Sequence, residues 1–255
     1  MSRVNPFSTP GSVDNETAAP SARQYHFRPP TTLGNGLRGA LAAFVLLTLA
    51  LLGVMAYGLQ LLQQGIAGGI TAELQNQLDR AGWLQLNLFR LQLVLMLACY
   101  IWAGCWIHRV ACNVRALGAR GLDDPPGWAV GWYAVPVMNL VRPLRAMTQI
   151  WLASQSPARW QKLGTPSLLR AWWVFWIAGN LSYWFVTQYL RPEHTFEGLH
   201  TQQLLLLCGQ GLNLAAAALF LLVVTGLTRM QVEQHEHQQA VPPLQATSLA
   251  DAFVA

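Results

Sequence analysis

Four stretches of this chain carry no Asp, Glu, Lys or Arg: residues 39–72, 91–107, 171–190 and 201–228. Nothing else in the sequence limits the fold so strongly. A helix crossing a bilayer needs roughly 20 apolar residues, with about 17–25 tolerated. In lipid the backbone has no water to bond, so its polar groups must be satisfied within the segment, which selects helix over irregular chain. Composition agrees, with 53% of the 255 residues hydrophobic and 11% charged, where soluble proteins carry about 25% charged. The sequence therefore predicts an all-α integral membrane protein with four transmembrane helices, at about 37–62, 88–107, 168–190 and 204–227.

The basic residues give an orientation. Arg3, Arg23, Arg28 and Arg38 lie before or at the first span, and Arg109, Arg115, Arg120, Arg142, Arg145, Arg159, Lys162 and Arg170 fill the long middle segment. The two shorter connections carry only Arg80, Arg90 and Arg191. The positive-inside rule then places both termini and the middle segment in the cytoplasm, which requires an even number of spans. Residues 1–36, rich in Ser, Thr, Pro, Asn and Gly, read as a disordered cytoplasmic arm. Residues 229–255 read as a cytoplasmic tail. The first apolar run is longer than a signal-peptide core of about 7–15 residues and is expected to stay as an anchor.

Parity also decides a fifth apolar stretch. Residues 129–141 are apolar but short, interrupted by Pro136 and Asn139, and flanked by basic residues on both sides. They are expected to re-enter or lie at the interface rather than span. Pro143 suits the first turn of a following helix over 142–154, with Asn139 as its N-cap. Leu144, Met147 and Trp151 recur at helical spacing, predicting an interfacial helix. The second span is expected to run on to Leu117, stopped by Gly118 and Gly121, before a turn at Asp123-Asp124-Pro125-Pro126-Gly127.

The central motifs carry a resemblance. Trp106-x-x-Arg109-x-x-x-Asn113-x-x-x-Leu117-Gly118 is followed by Gly127-Trp128-Ala129-Val130-Gly131-Trp132. Val135-Pro136-x-x-Asn139-Leu140-x-Arg142-Pro143 comes next, and later Met147 and Trp151. Over roughly residues 40–230 the chain resembles the bacterial membrane-protein family called domain of unknown function 4328. The resemblance implies a multi-pass domain in the bacterial inner membrane and brings no activity, cofactor or catalytic residue with it.

Candidate sites follow from spacing. Arg109 and Asn113, four apart, share a helix face and are expected to meet Asn139, Arg142 and Arg145 near the cytoplasmic boundary. Such a cluster suits an anion or lipid headgroup, because Arg recognises phosphate bidentately and helix N-termini supply free N–H groups. The same residues also suit a structural role, satisfying carbonyls freed by the turn. Asn180 and Asn213 fall at similar depth in the last two spans and are expected to pair, unless each bonds its own helix. His194, Glu197 and His200 are weak metal candidates, and His235-Glu236-His237 weaker still, so no metal or cofactor is expected. Asp123 and Asp124 read as a solvated turn. Cys99, Cys105, Cys112 and Cys208 read as free buried thiols.

No nucleophile elbow, phosphate loop or dinucleotide fingerprint is present, and no acid or Lys lies deep in a span. The leading expectation is a non-enzymatic interaction or regulatory module. Its basic cytoplasmic face would contact anionic lipid, a protein partner or a second copy, and not nucleic acid. The alternative is a small transporter or channel-like module using the re-entrant turn as site or gate.

Overall fold

The computed structural model describes residues 25–189 and 195–240. They form α1 (Thr31–Gly68), α2 (Ala72–Ala116), α3 (Pro126–Gly131), α4 (Arg142–Gln155), α5 (Ser167–Tyr189) and α6 (Phe196–Ala240), with short 3₁₀ turns between them and no strand among the described residues. Three helices, α1, α2 and α6, are long and apolar enough to cross a membrane. α5 is 23 residues long, enough for about 34 Å of helix. It is rich in aromatics: Trp172 and Trp173 are buried, while Tyr183, Trp184, Phe185 and Tyr189 are exposed.

The long helices overrun the expected spans. α1 begins at Thr31, and residues 25–30 pack against the bundle, so the end of the arm expected to be disordered is ordered. α6 continues to Ala240. A three-residue link around Gly69, in a left-handed conformation at φ 76, is all that separates α1 from α2. Thr71 then caps α2, its Oγ1 accepting the Leu74 amide at 3.1 Å. α2 stops at the expected place, because Gly118 and Gly121 adopt φ 92 and 73, which a side-chain-bearing residue resists.

α1 lies against both α2 and α6, and α5 against α6. The segment from 117 to 166 folds back as a cap over the end where α2 and α6 finish. α4 is not the surface helix that its periodicity suggests. Met147, Ile150, Trp151, Ala153 and Ser154 are all buried, and α4 packs on α2 and α6. Nor does Asn139 cap it. Asn139 lies inside the 3₁₀ turn Met138–Leu140, and Val141 takes the cap position without any side-chain bond. The main core occupies this end, where Trp172 stacks on Phe220 at 4.9 Å and Trp106 meets Phe220 edge-on at 6.2 Å.

α5 and α6 approach closely through small residues. Gly209 sits against Ser182, and a Cβ added to Gly179 would overlap the Asn213 amide. This corrects the expected Asn180–Asn213 pair. Asn180, one residue on, is rotated about 100° away from the contact. It is exposed and donates to the carbonyl of Trp176 in its own helix at 2.7 Å. Lack of a side chain at 179, rather than an amide at 180, makes the contact. We expect Gly179→Leu to destabilise the purified protein by about 1–3 kcal/mol through overpacking, and Asn180→Leu to stay within about 0.5 kcal/mol. Detergent melting curves of the two variants check this.

Candidate functional site

α2 and α6 point the same way, and amides recur along both at separations of seven and 21 residues. Gln85 meets Gln203 reciprocally, at 3.4 and 3.0 Å. Gln210 donates to Gln92 at 3.2 Å, and Gln92 donates to Thr48 of α1 at 2.9 Å. Asn113 donates to Gln231 at 3.0 Å. In each case the two positions on α2 and α6 are 118 apart in sequence. Between the two groups lies an apolar layer that includes Leu41, Cys99, Ala103, Ala217 and Phe220, all buried. Long Gln side chains reach across where the backbones of α2 and α6 stay mostly apart.

The end nearest the cap is the most tightly bonded. Asn113 is 0% exposed. Its Oδ1 accepts the Arg28 amide at 3.1 Å, and its Nδ2 donates to the Arg28 carbonyl at 2.9 Å. Gln231, also 0% exposed, donates to the Val110 carbonyl and to Ser154 Oγ, both at 3.0 Å. Ser154 in turn donates to the Ile150 carbonyl at 2.8 Å. One amide pair therefore ties together the segment before α1, the end of α2, α4 and α6. Trp106 extends the tie by donating to Thr228 at 3.1 Å, and Gln238 by donating to the Leu117 carbonyl at 3.0 Å. Phe27 stacks on His235 at 3.9 Å, and the Arg115 guanidinium lies 5.8 Å from the Tyr25 ring centroid.

The expected basic cluster divides. Asn113 turns inward, as above. Arg109 is half-exposed and makes no hydrogen bond or ion pair with a described residue. No such bond joins Arg109 or Asn113 to Asn139 or Arg142. Arg145 instead pairs with Asp123 at 2.6 Å, and Arg142 with Asp124 at 3.9 Å. Asp123 also accepts from Gln149 at 2.6 Å, and Arg115 donates to the Asp124 carbonyl. The acidic turn thus neutralises two of the arginines proposed for anion binding. Asn139 keeps a buried Oδ1 with no hydrogen-bond partner.

His194 lies outside the described residues. Glu197 is exposed, and His200 Nε2 meets Gln63 at 3.2 Å. Among the described residues no three His, Cys, Asp or Glu side chains gather as a metal site. Cys99, Cys105, Cys112 and Cys208 are free thiols, but Cys105 and Cys208 are exposed rather than buried. Burial pushes the Cys112 thiol up, with Arg115, Arg109 and Arg28 opposing. It is therefore protonated near neutrality and a poor nucleophile.

Spacing between basic residues does not reveal the amides that organise the bundle. The missed signal is the repeated Gln-Leu-x-Leu-x-x-x-Gln, at 85–92 and again at 203–210, continued at Gln231 and Gln238. We expect Gln231→Leu to cost about 1–3 kcal/mol, since Asn113 and Ser154 lose a buried partner. The double variant with Asn113→Leu should cost less than the sum of the single changes. Arg109→Ala should leave the melting temperature close to wild type. Thermal unfolding of wild type, the two single amide variants, the double variant and Arg109→Ala reads all three outcomes.

A family model described as a domain of unknown function, DUF4328, matches residues 71–229. The match runs from the cap of α2 into the last third of α6 and leaves α1 outside it. No curated protein and no solved structure matches the chain.

Proposed function

Because the chain belongs to the DUF4328 family, whose description assigns no activity, we propose its function from the geometry: a non-enzymatic membrane module that seats a folded cap in the headgroup layer of the cytoplasmic leaflet. α5 is the fourth span in this reading. Residues 129–141 dip into the leaflet and return, and both chain ends face the cytoplasm. The basic side of the cap contacts anionic lipid.

One observation carries the reading. The turn between α3 and α4 presents Val137, Met138, Leu140 and Val141 outward, with Val137 73% and Val141 65% exposed. An apolar lip of this kind is unfavourable in water and stable at the boundary between headgroups and acyl chains. Arg120, Arg159 and Lys162 on the same cap, with Arg170 in the first turn of α5, are exposed and make no ion pair with a described residue. Each basic side chain near an anionic surface contributes about 1 kcal/mol. The depth fits too. Val130 packs at Gly104 within the uncharged part of α2, and Trp173 of α5 donates to the Leu140 carbonyl at 2.9 Å.

A transporter is the second reading, favoured by the amide seam rather than by the turn. The apolar layer around Leu41, Cys99 and Phe220 interrupts that seam, which supports the lipid-contacting reading over it.

On a cysteine-free background, Lys162→Cys should label only from the cytoplasmic side, and Glu197→Cys only from outside. Labelling of position 162 from outside would make the 129–141 segment a span. In nanodiscs, anionic lipid should raise the melting temperature over that in phosphatidylcholine. Replacing Arg120, Arg159, Lys162 and Arg170 by Gln should shrink that rise. Liposome flux of small ions and polar solutes above protein-free background would favour the transporter instead.

A further inference from the structure

At the linked end of α1 and α2, two opposite charges line one groove without pairing. The groove runs between the two helices and has a volume of about 490 Å³, within the range of about 300–1,000 Å³ that ligand sites occupy. Gly53, Val54, Ala81 and Leu84 line its deeper part, and Tyr57, Glu73, Gln77 and Arg80 its outer part. A Cβ added at Gly53 would meet nothing within 4 Å, so the missing side chain keeps the floor open. Gln77 Nε2 donates to Glu73 Oε1 at 3.0 Å and draws the carboxylate toward the level of Arg80. Yet Arg80 and Glu73 make no ion pair with each other or with any other described residue. Asp79 accepts from Gln75 at 2.9 Å and does not line the groove.

Aromatic residues give the depth of this groove. Phe89 of α2 stacks on Tyr183 of α5 at 6.2 Å, and these two helices run in opposite directions. Trp83 and Tyr189 each lie six residues further out, so they share a level, and both are exposed. Exposed Trp and Tyr collect at the headgroup boundary. Arg80 is about 4.5 Å beyond Trp83 along α2, which sets it among the phosphates. From the bilayer outward the groove offers an apolar floor, then a guanidinium, then a carboxylate. A phospholipid with an ammonium headgroup presents acyl chain, phosphate and ammonium in that same order. We propose that the groove binds a zwitterionic phospholipid bearing a primary ammonium, of the phosphatidylethanolamine type. Arg80 and Tyr57 donate to its phosphate, and Glu73, oriented by Gln77, accepts from its ammonium. An acyl chain lies over Gly53, between Val54 and Leu84. Choline suits the groove less, because its nitrogen has no N–H for Glu73 and Tyr57 alone makes no aromatic cage. Assigning the groove to the outer leaflet rests on the orientation read above, whereas the order of its groups does not.

The test places the full chain in nanodiscs of equal phosphatidylethanolamine and phosphatidylcholine and counts the lipids it retains by native mass spectrometry. Phosphatidylethanolamine should be retained about fivefold over phosphatidylcholine, the upper range for an exposed ion pair. Glu73→Gln should bring that ratio to about one, and Arg80→Gln should lower retention of both lipids. Gly53→Leu fills the floor and should lose both lipids at an unchanged melting temperature. Replacing Arg120, Arg159, Lys162 and Arg170 by Gln should leave the ratio at its wild-type value, which separates this groove from the basic cap. Equal retention of the two lipids by the wild type, or a ratio unmoved in Glu73→Gln, would overturn the proposal. Displacement of the bound lipid by free phosphoethanolamine at matching concentration would reassign the groove to a soluble zwitterion. Dimers that fall apart in Gly53→Leu would make it an interface between two copies of the chain instead.

Discussion

The amide pair of Asn113 and Gln231 is the constraint on which the rest of the cap depends. Both side chains are fully buried, and between them they bond the Arg28 backbone, the Val110 carbonyl and Ser154. Burying an amide without partners costs several kcal/mol, so these contacts permit few alternative packings. Their net contribution to stability is smaller, since a hydrogen bond in a membrane protein averages about 0.6 kcal/mol. What they supply is register. A one-turn slip of α6 against α2 would break each of the three amide pairings at once.

That register explains how a short, irregular cap can sit firmly on long helices. Ser154 carries the amide network into α4, Trp173 holds the Leu140 carbonyl, and Trp160 donates to the Arg120 carbonyl at 2.9 Å. The two tryptophans are side-chain donors that close off backbone carbonyls outside the regular α-helices. The cap can then carry local strain at Val137, at φ 66, and unpartnered groups at Trp132, Tyr133 and Asn139, because its two ends are fixed elsewhere. Asp123 and Asp124 pair with Arg145 and Arg142 to different degrees, at 2.6 and 3.9 Å.

The sequence by itself determined the helical class, the apolar length of the long helices, the stop of α2 at Gly118 and the break at residues 117–141. These follow from local rules: uncharged runs long enough for a bilayer, glycines at positive φ, and prolines that interrupt a helix. Membership of the family was also legible there, in the Trp, Gly and Pro motifs between Trp106 and Pro143.

Only the tertiary structure decided which polar residues meet. Arg109 and Asn113 share a helix face in sequence terms, yet one points outward and the other is enclosed, because α6 and the segment before α1 cover only part of that face. Asn180 and Asn213 match in depth but not in angle, and depth is all that counting residues provides. The salt bridges of Arg142 and Arg145 arise because the Asp123–Asp124 turn folds back onto α4, a long-range event with no local signature. The Gln repeats at 85, 92, 203 and 210 were visible as spacing. Their pairing needed α2 and α6 to run parallel, and parallel neighbours are set by the connections and the packing between helices, which no single helix encodes.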